Sequence, residues 1–115
     1  MKKIVAVIFL LAFLVFNTLA FAHPATDIIF NFNAQNKMLS LAVAHAVENP
    51  GSHFIKKIIV KRNGKEWIIQ NFLSQYNAVA QAVGYVAVDL KKGDTIEILA
   101  VCNKGGELKK EFKIE

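Results

Sequence analysis

The sequence predicts an all-β fold, an antiparallel β-sandwich of about seven short strands. Three observations carry that prediction. Residues 27–33, 39–47 and 95–102 alternate large apolar residues with polar or small ones, the period of two that turns one strand face toward a core. Turn signals separate them at Asn49-Pro50-Gly51-Ser52, Asn63-Gly64, Lys92-Gly93-Asp94 and Lys104-Gly105-Gly106. Short strands punctuated at such regular spacing are the pattern of a sandwich.

Fold reasoning starts after a leading segment. Met1-Lys2-Lys3 is basic, residues 4–16 are an unbroken apolar run, and Ala20-Phe21-Ala22 fits an A-x-A cleavage site. The apolar run is shorter than the roughly 20 residues a membrane-spanning helix needs. Residues 1–22 are therefore expected to be a cleaved signal peptide, which places the mature chain in the periplasm or outside the cell with no stable membrane span. Cleavage after Ala22 makes His23 the first residue; a cut after Ala20 leaves Phe21-Ala22 ahead of it.

Residues 23–115 then suffice for one domain. In DIIFNFN, Ile28, Phe30 and Phe32 share one face. After a polar turn at 34–37, Leu39, Leu41, Val43, His45 and Val47 share a face opposite Ser40 and three alanines. Alanine favours helix, but strict alternation and the Asn-Pro-Gly-Ser breaker favour strand. Residues 53–62 are rich in β-branched side chains and run into Asn63-Gly64, a strong signal for a type I′ hairpin. Residues 66–72 return, with Trp67 and Ile69 expected on one face. Residues 74–84 permit either a helical turn or a loop crossing between sheets. Strands are expected at 85–90, 95–102 and 108–114. The length matches immunoglobulin-like sandwiches of about 100 residues, and the fold is expected to be of that kind.

Composition excludes some functions. The chain carries a formal charge of +5, of which Lys2 and Lys3 belong to the leader. The remaining lysines are scattered, without a basic block interleaved with aromatics, so nucleic acid is not an expected partner. No glycine-framed serine or glycine-rich phosphate loop is present.

Two histidines and one thiol fall at expected strand ends. His45 closes one strand, His53 opens the next, and Cys102 ends a third. A lone cysteine in an exported chain is explained by burial, an intermolecular bridge or metal ligation. Imidazole and thiolate together suit iron, copper or zinc. His23 is the fourth candidate. At a free terminus its amine and ring could chelate copper together; as a frayed end it would do nothing.

His45, the run His53-Phe54-Ile55-Lys56-Lys57-Ile58, Asn63-Gly64-Lys65 and Cys102-Asn103 resemble the iron domain of superoxide reductase and desulfoferrodoxin over residues 39–106. The resemblance implies an immunoglobulin-like sandwich holding ferrous iron through histidines and an axial cysteine. It also implies reduction of superoxide with electrons from an unidentified donor. Carried over by position, His45 and His53 match the paired histidines and Cys102 the axial thiolate. The chain departs from that pattern in two places. Seven residues separate His45 from His53, where the family usually has five, and Gly105 stands where the family's C-N-x-H motif has histidine. The expectation is thus an exported metal-binding sandwich with His45, His53, Cys102 and His23 as ligands, iron as first choice and copper second. A metal carrier or sensor, or a sandwich that has lost its metal, is the alternative.

Overall fold

A computed structural model describes residues 23–115; the expected signal peptide lies outside the described residues. Seven antiparallel strands form two sheets: β1 (Asp27–Asn33), β2 (Met38–Ala44), β3 (Ile55–Arg62), β4 (Lys65–Asn71), β5 (Ala80–Val86), β6 (Thr95–Cys102) and β7 (Glu107–Lys113). One sheet has the order β1-β2-β5 and the other β4-β3-β6-β7. All-β architecture and strand number are as expected. No helix among the described residues is long and apolar enough to cross a membrane.

Alternation puts the core where period-two reading places it. Ile28, Leu39, Leu41, Val43, Ile58, Val60, Ile96, Ile98 and Ala100 are buried between the sheets. Phe30 on β1 stacks on Phe112 of β7 with ring centroids 4.6 Å apart, closing one side of the sandwich. Burying each large aliphatic side chain contributes about 1.5–3 kcal/mol, which is what holds two small sheets together.

The hairpin at Asn63-Gly64 decides the topology. Both residues have positive φ, 51° and 83°, and a two-residue connection keeps β4 beside β3. The fourth strand therefore lies in the sheet of β3, β6 and β7. In constant-type immunoglobulin domains it lies in the sheet of the first two strands.

Three expectations are corrected in detail. Trp67 and Ile69 do not share a face. The register shifts between Val60 and Lys61, so that Val60 faces Ile68 while Lys61 faces Glu66. This bulge lets Trp67 and Ile68 both pack on the core and turns Ile69 outward. The fifth strand begins at Ala80 rather than Tyr85, because residues 80–86 pair along their whole length with β2. Finally, β2 stops at Ala44 and β3 starts at Ile55, which leaves both histidines in the connecting loop.

Candidate metal centre

His45 follows β2 and continues its inward alternation, so its side chain is fully buried. Its backbone leaves the ladder: the His45 amide donates to the Val79 carbonyl at 2.9 Å. The loop then doubles back. Asn49 Oδ1 accepts the Gly51 amide (2.9 Å), and the Asn49 carbonyl accepts the amides of Ser52 (3.1 Å) and His53 (2.9 Å). This turn returns His53 against His45, with ring centroids 4.8 Å apart and planes nearly perpendicular.

His23 completes a triangle. Its ring lies 4.9 Å from that of His45 and 5.0 Å from that of His53. The next residue, Pro24, seats on the β6–β7 turn at Gly106. A Cβ there would come within 3.1 Å of Pro24 Cβ, and Gly106 has φ of 87°. Glycine thus permits the close approach that places His23. One ligand atom from each of His23, His45 and His53 lies within 4.8 Å of the other two.

Hydrogen bonds indicate which ring atoms are free. His23 Nδ1 meets the Pro24 carbonyl at 3.1 Å, so that nitrogen is the donor and Nε2 holds the lone pair. His45 Nδ1 meets Gln75 Oε1 at 2.8 Å, and its Nε2 faces the His23 carbonyl at 3.0 Å. With the single proton of a neutral ring on Nδ1, the Nε2 contact sets a lone pair against an oxygen, which either a metal ion or a second ring proton at Nε2 would relieve. His53 Nε2 is buried and has no hydrogen-bond partner among the described residues, a state that costs about 1–3 kcal/mol. Burial, reinforced by the charges of His45, His23 and Lys104 and opposed by the His23 backbone, which comes near the ring without a well-formed hydrogen bond to Nε2, pushes the His53 imidazolium below its ordinary range. The neutral, ligating form is favoured. Three clustered imidazole lone pairs, one of them on a buried and unpartnered nitrogen, fit a transition-metal ion.

Beside the cluster is an open cleft of about 570 Å³, lined by His23, His53, Glu48, Asn49, Ser52 and Lys104 among others. A group bound by the histidines would therefore be reachable from solvent.

Cys102 is a free, buried thiol at the end of β6, opposite Ile55 at the start of β3. Its sulfur accepts the Lys104 amide at 3.4 Å. Asn103 ties this turn to the histidine loop: its amide donates to the Phe54 carbonyl (2.9 Å), its Oδ1 accepts the Phe54 amide (2.9 Å), and its Nδ2 donates to the Ser52 carbonyl (3.0 Å). The thiol nevertheless stands outside the group of ligand atoms within 4.8 Å of one another, which is made of the three histidines. Sequence reasoning named all four residues but missed Gln75. That residue lies in an Ala- and Gln-containing connection with no periodicity, and no local signal marks it.

No protein-family model matches the chain, and no curated protein matches it in sequence. Among solved structures it is similar to a superoxide reductase (neelaredoxin) from Ignicoccus hospitalis. The identity is 17%, the similarity covers 79% of this chain and 82% of that one, and the TM-score is 0.47. A likeness of that degree carries neither family nor activity to this chain.

Proposed function

We propose that this chain is an exported metal-binding protein whose His23, His45 and His53 hold one transition-metal ion through Nε2. The convergence of the three rings, with the buried His53 Nε2 left unpartnered, carries the reading. Iron is the first choice, by the sequence resemblance to the superoxide reductase iron domain. Cys102 is the further donor by the same resemblance; its sulfur lies in the turn that Asn103 ties to the histidine loop. Bound iron would supply one-electron redox chemistry, toward superoxide or a related small oxidant admitted by the open cleft. The chain's own part is to hold three imidazoles in place and to leave one side open beside Lys104 and Glu48.

A second reading, a carrier of copper or iron without turnover, is favoured by the position of Cys102 outside the histidine group. Elemental analysis of the mature protein, as purified and after anaerobic addition of ferrous iron, tests the first claim. About one metal per chain is expected for the wild type, as one structural or catalytic site implies, and none for the His45→Ala/His53→Ala pair. Refusal of iron, copper and zinc by the wild type would sink it. Cys102→Ser separates the two readings. Loss of a thiolate-to-metal charge-transfer band places the sulfur on the ion, whereas an unchanged spectrum leaves the histidines alone and favours the carrier.

A further inference from the structure

Gln75 lies in the irregular crossover from β4 to β5, far from His45 in sequence, and is only 6% exposed. Its amide is enclosed by polar partners. Nε2 donates to the carbonyls of His45 (2.7 Å) and Asn77 (2.9 Å), while Oε1 accepts the Ile55 amide at 3.2 Å. Its backbone amide donates to the Pro50 carbonyl at 2.9 Å, inside the turn that carries His53. Two carbonyls and one N–H admit a single orientation of the side chain: flipped, it would set oxygen against two oxygens and NH₂ against an N–H. Oε1 therefore faces His45 Nδ1, at 2.8 Å, as an acceptor. A ring proton therefore belongs on Nδ1, and in the neutral ring the Nε2 lone pair is turned to the side of His23 and His53, 3.0 Å from the His23 carbonyl.

We propose that Gln75 is a positioning residue that locks His45 in the Nδ1–H tautomer, so that its Nε2 lone pair is presented to a metal ion. The consequence for metal rests on the three-histidine reading above; the tautomer does not. The choice of residue is specific. A carboxylate would keep the acceptor for His45 and Ile55 but lose both donors to the carbonyls of His45 and Asn77. An isosteric apolar side chain would lose everything. Without Gln75, the His23 carbonyl 3.0 Å from Nε2 becomes the better partner for the ring proton, and a proton on Nε2 blocks ligation.

The test uses metal-free full-length mature protein, long-range ¹H–¹⁵N correlation of the His45 ring near neutral pH, and zinc titration against a competing chelator. Wild type should show Nδ1–H. Gln75→Met should shift His45 toward Nε2–H and weaken zinc binding about 10- to 100-fold, the usual cost of losing such an outer partner. Gln75→Glu, which keeps the acceptor, should retain Nδ1–H and bind zinc more tightly than Gln75→Met. A wild type with a proton on Nε2 near neutral pH, whether alone or together with one on Nδ1, overturns the proposal, and that result needs no variant to fold. Unchanged zinc affinity in Gln75→Met, with a wild type that loads, overturns the role of Gln75 alone. A wild type with Nδ1–H that takes up no zinc instead defeats the metal reading of the cluster, and the positioning role with it.

Discussion

His53 is the histidine with most to gain from a metal ion. Its Nε2 is buried and unpartnered, so the metal-free fold carries an unsatisfied polar atom that a ligand bond would satisfy. His53→Leu should therefore abolish metal binding while leaving the metal-free protein at least as stable near neutral pH, as read by urea unfolding. A clear loss of metal-free stability would show that the ring has a structural partner. The same residue sets a pH dependence. Its folded-state pKa lies below the ordinary 6.5, chiefly through burial and then through the charges of His45, His23 and Lys104. The unfolded chain thus binds the proton first as pH falls. The stability present above 6.5 is lost between 6.5 and the lower folded value. His53→Leu should flatten the urea midpoint over that window, whereas an equally steep fall in the variant would assign the effect to other groups.

The loops at one end of the sandwich are held by backbone choices as much as by side chains. Gly106 has positive φ, and the Pro24 ring packs directly against it; neighbouring Gly105, with φ of 118°, faces open space. Both should cost about 1–2 kcal/mol on replacement by alanine, from forcing an L residue into left-handed backbone. Only Gly106→Ala also pushes Pro24 away and displaces His23. It should therefore weaken metal binding where Gly105→Ala does not, and equal affinities in the two would detach His23 from the site. Much at this scale could be read in advance. Alternation identified the buried faces of β2 and β6, including the inward aim of His45 and Cys102, and Asn63-Gly64 announced its hairpin. Other features rest on contacts across the fold. The bulge at Trp67 follows from packing two side chains on one core, and the 72–79 crossover is shaped by hydrogen bonds to Pro50 and His45. Alternation assigns a face and not a distance. For that reason Cys102 could be placed inward, but that the tightest group of ligand atoms would consist of the histidines alone could not be foreseen.

At the scale of the molecule the sandwich has two polar ends separated by an apolar middle. The histidines gather where β3 begins; at its other end Arg62 donates to Asp94 through Nε (3.0 Å) and a terminal nitrogen (2.7 Å). Asn63 Nδ2 and the Lys91 amide also donate to that carboxylate, each at 3.0 Å. These two hydrogen bonds, with Arg62 adding to them, hold Asp94 below its ordinary 3.8. Here the sign is the acidic one: the stabilisation is present above 3.8 and is lost as pH falls from there through the folded pKa. Acid should therefore act on the metal-free protein in two windows, one below 6.5 from the histidine end and one below 3.8 from Asp94 and from Asp27, which Lys110 also holds down. Asp94→Asn should lower the urea midpoint at neutral pH and flatten only the second window, with zinc affinity unaltered. The eight residues of β3 put the two ends roughly 25 Å apart at about 3.3 Å per residue. At that separation the effects of His53→Leu and Asp94→Asn should add in the double variant to within about 0.5 kcal/mol. A larger coupling would mean that the sheets transmit strain from one end to the other, and that the metal centre cannot be treated as a site built on a rigid frame.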